Sequence, residues 1–253
     1  MIPKIIHLCW LSGDPYPDDI KKCLSTWSEH LSDYEIRTWT YKDLEQLNST
    51  WATQAYNAKK YAFAADLIRL YALYHYGGIY LDSDVFVYRS FDPLLKLPYF
   101  IGEDYTHRFE PAIIGAEKGN SWIKLCLDHY SERNFVKDDG SFDTLPLPGV
   151  FYICLSGKMT FNKISDISEF VFKDDILNIF DHYFFNSRNQ IEIVQTPKGY
   201  CSHMYVGSWV SIKKERVIKR LLKFFLHKRV LLFIFKITSY LSRDNKQYRI
   251  DHL

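Results

Sequence analysis

The sequence predicts an α/β fold with a mostly parallel central sheet flanked by helices, on three observations. Short β-branched or apolar runs alternate with longer amphipathic segments in the order strand, helix, strand, helices, strand. Residues 61–76 put apolar side chains around most of a helix and run into Gly77-Gly78, where the apolar run Ile79-Tyr80-Leu81 begins. The 253 residues, 47% of them apolar, are enough to bury one full core, and no second domain is required.

Residues 3–10 (PKIIHLCW) read as a first, central strand, closed by the loop Leu11–Pro15. Asp18 to His30 is an amphipathic helix with Ile20, Leu24, Trp27 and the adjoining Leu31 on one face, and Tyr34 to Trp39 alternates as a second strand. Helical segments from about 41 to 57 lead into the helix at 61–76. Val85 to Tyr88 can continue the strand begun at Ile79, and Asp92 to Leu95 ends it in a turn or short helix. Tyr99–Glu103 and Ala112–Ala116 read as strands around a polar loop, Asp104 to Pro111; Glu103, Asp104 and Glu110 are candidate acceptor contacts or a solvated acidic face. Ser121 to Arg133 reads as a helix, and Lys137 to Asp143 as a polar loop. Residues 144–190, punctuated by Pro146, Pro148 and Gly149, carry no clear period, and Gln190 to Gln195 reads as a late strand.

The chemistry concentrates between 61 and 88. Asp66 and Arg69, three apart on a helix, share a face and can pair; in so apolar a segment they are either a structural tie or face a polar ligand. Asp82 and Asp84 follow at period two, on one face if the strand stays extended: either a divalent cation held by oxygen ligands keeps both ionised, or they form a solvated turn at the strand end. Trp10 stands at the carboxyl end of the first strand, where ligands of open α/β sheets collect, although by residue type it suits the core equally. His7, in mid-strand, suits a satisfied core histidine.

Charge is unevenly spread. Residues 211–253 hold 12 Lys/Arg against 3 Asp/Glu, and residues 1–210 hold 20 against 27. Within that tail Val217, Ile218, Leu221, Leu222, Phe225 and Leu226 line one side of a basic amphipathic helix, expected to meet an anionic membrane surface through residues 213–229 or to pack on the body. The apolar run Arg229–Leu241 is too short and interrupted to cross a bilayer. The five cysteines are scattered, without a Cys-x-x-Cys pair, which argues for a reducing compartment and against a zinc cage. With no secretion signal at the N-terminus, the expected location is cytoplasmic, peripheral on the inner face of the cell membrane; no nucleic-acid partner is expected.

The combination Ala65-Asp66-x-x-Arg69, seven residues, Gly77-Gly78-x-Tyr80-x-Asp82-x-Asp84 resembles the signature of glycosyltransferase family 32, the DXD sugar-binding region family. Its members include initiating mannosyltransferases, α-1,4-galactosyltransferases, bacterial capsule enzymes and, more distantly, clostridial glucosylating toxins. The opening Ile2-Pro3-x-Ile5-Ile6-His7-x-x-Trp10 and the closing His203-x-x-x-Gly207-Ser208-Trp209 extend the resemblance over residues 2–210. It implies a GT-A, Rossmann-like catalytic domain over 1–210 with 211–253 as an appended tail. It also implies a metal-dependent retaining hexosyltransferase using Mn²⁺ or Mg²⁺ and a nucleotide sugar, UDP-galactose or UDP-glucose before GDP-mannose. With the basic tail and no secretion signal, the expected acceptor is a glycan or lipid-linked oligosaccharide, as in capsular or cell-surface polysaccharide synthesis.

Carried over by residue, Asp82, Asp84 and His203 bind the metal, and Asp82, Asp84 and Arg69 are the catalytic set. Trp10 stacks on the donor base, Asp66 and Arg69 hold the donor sugar, Asp82 contacts the nucleotide ribose or the metal shell, and Ser208 and Trp209 donate to the diphosphate. No general base is implied, because the leaving phosphate helps take the acceptor proton. Two other readings compete. An apolar strand followed by Asp-x-Asp also opens the haloacid-dehalogenase pattern, with Asp82 as nucleophile of a phosphatase, but this leaves the Gly-Gly and the Asp66/Arg69 helix without a task. The other is a non-catalytic, membrane-associated subunit.

Overall fold

A computed structural model describes residues 1–186, 196–206, 248 and 250. In chain order the elements are β1 (Ile5–Cys9), α1 (Asp18–His30), β2 (Glu35–Trp39), α2 (Tyr41–Gln46), α3 (Thr50–Asn57), α4 (Tyr61–Tyr76), β3 (Gly78–Leu81) and β4 (Val85–Val87). They continue with β5 (Tyr99–Glu103), β6 (Phe109–Ala116), α5 (Ser121–Asp128), α6 (Leu147–Leu155), β7 (Thr160–Ile164), β8 (Ile176–Phe180), α7 (His182–Phe185) and β9 (Cys201–His203). Seven strands form the main sheet in the order β2-β1-β3-β6-β5-β8-β7, with only β6 antiparallel to its neighbours. The expected α/β architecture, a mostly parallel sheet flanked by helices, is thus the one observed.

Several expected elements shift. β1 is second from an edge rather than central, because the later strands add on the far side of β3. The strand carrying Ile79 stops at Leu81: Val85 N bonds back to Asp82 O at 3.0 Å, and β4 leaves the main sheet to pair antiparallel with β9, Val85 opposite His203. The strand expected from Ala112 begins at Phe109, which takes Glu110 out of the loop and into the sheet. The helix from Ser121 stops at Asp128 and continues only as turns, Tyr130 N to Leu127 O and Ser131 N to Asp128 O. The late strand read at Gln190–Gln195 and the amphipathic helix at 213–229 lie outside the described residues. Of the tail, Ile250 N bonds to His107 O at 2.9 Å, and the Tyr248 ring meets that of Tyr152. Among the described residues no helix is long and apolar enough to cross a membrane.

The junction of α4 and β3 is fixed by two glycines and one histidine. Gly77 and Gly78 have φ of 68° and 106°, a region L side chains rarely adopt. A Cβ at Gly78 would sit 2.6 Å from the Ile5 carbonyl oxygen. This closeness lets β3 lie against β1, and it lets fully buried His7 donate from Nε2 to Gly77 O at 2.7 Å while Nδ1 accepts from Trp39 Nε1 at 3.2 Å. His7 is therefore the satisfied core histidine its position suggested. Its neutral form is the one that matches both partners, and burial first, then Arg37, lowers its pKa to about 4 despite the Gly77 carbonyl.

Two predictions follow from this junction. Gly78→Ala is expected to lose about 2–4 kcal/mol in urea unfolding, from the positive φ together with the backbone clash. For His7, the unfolded chain takes up a proton near pH 6.5 that the folded chain refuses until about pH 4. Its contribution is therefore complete above pH 6.5 and is lost as pH falls toward 4, by about 3 kcal/mol in all. Urea midpoints at pH 7 and pH 4.5 should show a smaller acid loss in His7→Gln than in the native protein.

Candidate active site

Buried α4 presents Asp66 and Arg69 toward the carboxyl end of β3, and the turn after Leu81 swings Asp82 and Asp84 toward them. Arg69 Nη2 donates to Asp82 Oδ1 at 3.0 Å and lies 3.5 Å from Asp66 Oδ1, while Nη1 donates to the Pro111 carbonyl. The Tyr80 ring lies beneath the guanidinium, 4.3 Å from it, and the Tyr80 hydroxyl is a second donor to Asp82 Oδ1 at 3.0 Å. The Asp66–Arg69 pair is thus part of a network whose shorter ion pair runs to Asp82. Arg69 Nε is buried without a hydrogen-bond partner among the described residues.

Burial pushes the Asp66 carboxyl up to about 7 against the pull of Arg69. It also raises Asp82, again opposed by Arg69. Asp84 behaves oppositely: burial disfavours its charge, but the neighbouring His203 imidazolium and the Val206 N–H, 2.8 Å from Oδ2, hold the carboxyl below its usual range. The two aspartates of one motif therefore sit in different electrostatic settings.

The β4–β9 pairing carries His203 to this point. Its Nε2 is 3.3 Å from Asp84 Oδ1, and its Nδ1 is 3.2 Å from Oε1 of buried Glu110. Burial disfavours the charged ring, yet Glu110 and Asp84 on either side hold it well above its ordinary range. Ligand atoms of Asp82, Asp84 and His203 lie within 4.8 Å of one another. The expected metal set is therefore brought together, not along one strand face but across a turn and a second ladder. Two carboxylates and one imidazole suit Mn²⁺, and Mg²⁺ less well because it prefers oxygen alone. Ligation through Nε2 requires that nitrogen to give up its proton. A second group, Glu103, Asp181 and His182, also clusters, but Lys163 Nζ sits 2.9 Å from Glu103 Oε2 and compensates its charge.

Of the other candidates, Trp10 stands half-buried at the end of β1, its Nε1 donating to Asp14 O at 2.6 Å and its ring 4.6 Å from that of Tyr16. Ser208 and Trp209 lie outside the described residues. The acidic trio Glu103, Asp104 and Glu110 does not form an open acceptor face. Glu103 is buried against His107 and Lys163, Asp104 caps its own turn through Thr106 and Arg108, and Glu110 lies behind His203. Sequence reasoning gave Glu110 no part in the metal group and missed Tyr80, Asn186 and Tyr205, which support it from behind. The one available signal was the position of Tyr80, two residues before Asp82.

Comparison with known proteins bears on this geometry. Residues 17–101 match the family model described as a glycosyltransferase sugar-binding region containing a DXD motif. Inositol phosphoceramide mannosyltransferase 3 of Schizosaccharomyces pombe is 32% identical over 126 residues, 48% of this chain and 35% of that protein. Mannosyl phosphorylinositol ceramide synthase CSH1 of Saccharomyces cerevisiae is 35% identical over 147 residues, 54% of this chain and 38% of that protein. The alignments thus span little more than a third of the length of these curated relatives. Among solved structures, the PaToxG glycosyltransferase superposes with a TM-score of 0.44 at 21% identity, over 61% of this chain and 69% of that one. Asp66, Arg69, Asp82 and Asp84 all fall inside the segment that matches this glycosyltransferase sugar-binding region model.

Proposed function

We propose that the chain is the catalytic unit of a divalent-metal-dependent, retaining glycosyltransferase that moves a hexose from a nucleotide sugar to a glycan or lipid-linked acceptor. The observation that carries this reading is the convergence of His203 with the two DXD aspartates, Asp82 and Asp84, beside the Arg69 guanidinium. In it Asp82, Asp84 and His203 hold the cation, Mn²⁺ before Mg²⁺. A bound cation supplies neutralisation of the charge that develops on the leaving diphosphate. Arg69 fixes Asp82 and adds positive charge beside it, and its Nε, without a partner among the described residues, is a donor in reserve. Asp66 accepts hydroxyls of the donor sugar, Trp10 stacks on the base, and Ser208 and Trp209 donate to phosphate oxygens. The leaving phosphate takes the acceptor proton, so no side chain is assigned as general base.

Both curated relatives are named for mannosyl products or transfer, which moves the preferred donor from UDP-galactose or UDP-glucose to GDP-mannose. Their names also specify a phosphoinositol ceramide, which supports a lipid-borne polar acceptor for this chain ahead of a free sugar. A capsular or cell-surface polysaccharide precursor is one acceptor of that kind. The basic composition of 211–253 supports an anionic membrane surface as the place where it is met.

The test is nucleotide release and sugar transfer across GDP-mannose, UDP-galactose and UDP-glucose, with Mn²⁺, with Mg²⁺ and after chelation. The expected result is turnover of one donor that disappears on chelation and falls roughly 10²–10³-fold in Asp84→Asn. Release of phosphate from simple esters with no turnover of any nucleotide sugar would overturn the reading in favour of a hydrolase using Asp82.

A further inference from the structure

Behind the metal group lies a carboxylate to which the proposed reaction gives no task. Glu110 opens β6 at only 2% exposure, too covered to touch a sugar. Its Oε1 lies 3.2 Å from His203 Nδ1, while the other ring nitrogen, Nε2, is the one 3.3 Å from Asp84 Oδ1. Three donors hold the carboxylate: Tyr205 OH to Oε2 at 2.7 Å, Asn186 Nδ2 to Oε2 at 2.8 Å and Ala112 N to Oε1 at 3.2 Å. Tyr205 also lays its ring against His203, with centroids 4.0 Å apart and 31° between planes. It does so from a backbone φ of 48°, a region that bulky residues enter only when the surroundings impose it.

These contacts determine which nitrogen can bind a cation. A neutral imidazole has one N–H and one lone pair, and the hydrogen bond made by one nitrogen decides the role of the other. An ionised carboxylate can only accept, so Glu110 requires the hydrogen on Nδ1; Asp84 draws a second one onto Nε2, and a cation that displaces only this second hydrogen finds the Nε2 lone pair toward the aspartates. Resting on the reading of Asp82, Asp84 and His203 as a cation shell, we propose that Glu110 is the positioning residue that fixes His203 as an Nε2 donor, with Tyr205 and Asn186 as its clamp. The cation site then involves six residues rather than three, with its histidine oriented before any nucleotide sugar arrives.

The test is Mn²⁺ binding to the full chain, without nucleotide, followed by electron paramagnetic resonance. Glu110→Gln keeps the size of the side chain but can turn its amide N–H toward Nδ1, which favours the wrong tautomer. It should weaken Mn²⁺ binding roughly 10–100-fold. Tyr205→Phe removes one donor to Glu110 without touching the shell and should weaken binding less, while His203→Ala should weaken it at least as much as Glu110→Gln. A structural counter-charge would move thermal stability in the metal-free protein without selecting a tautomer, so a second readout uses the native protein. With diamagnetic Zn²⁺ in place of Mn²⁺, ¹⁵N resonances of the histidines should show His203 protonated at Nδ1 and bare at Nε2. Unchanged Mn²⁺ affinity in a folded Glu110→Gln, or a His203 protonated at Nε2 in the Zn²⁺ form, overturns the proposal while leaving the transferase reading intact. No Mn²⁺ binding by the native protein, or unchanged binding in His203→Ala, overturns the cation shell itself.

Discussion

Three consecutive residues at the start of β6 hold the site together. Glu110 reaches His203, the Pro111 carbonyl accepts from Arg69, and the Ala112 carbonyl accepts from the backbone N–H of Asp82 at 2.9 Å. The first fixes a side chain from β9, the second one from α4, and the third the turn that carries both aspartates. β6 can do this because it is the one strand of the main sheet that runs against the rest, so its beginning lies where β3 and β5 end. In an open α/β sheet that edge is where ligands collect.

The charges gathered there do not balance. Asp66, Asp82, Asp84 and Glu110 face Arg69 and His203; burial raises Asp66, to about 7, and Asp82, while His203 holds Asp84 and Glu110 below their ordinary range. Arg69 is nearly fully buried and depends on its two aspartates, and breaking such a pair by removing one partner commonly costs about 3–5 kcal/mol. The arrangement thus sets four carboxyl groups against two cationic side chains in a covered place, a condition that a hard cation relieves.

How far the sequence shows this depends on how local each signal is. The pairing of Asp66 with Arg69 and the left-handed turn at Gly77-Gly78 are legible because both are decided within a few residues. That Arg69 makes its shorter contact with Asp82 depends on how β3 packs back against α4, which no spacing shows. Glu110 was hidden by Pro111, which reads as the end of a loop; the structure places it where the β5–β6 register shifts, and a proline is tolerated in a strand at such an irregularity. α6 was illegible for another reason: it is apolar on nearly every side, with only Ile153 well exposed, and so has no period to detect. Asn178 interrupts β8 in sequence but is satisfied inside it by Tyr99 and the Val171 carbonyl.

The small ladder between β4 and β9 joins positions about 120 residues apart in the chain. Closing so long a loop is entropically costly and slow compared with forming a helix or a hairpin. During synthesis the two aspartates leave the ribosome long before His203 does, and for that interval the chain carries an acidic half-site without its third arm. The three-residue cluster therefore comes together only when β9 docks on β4, and its completion reports that the later part of the chain has met the earlier one.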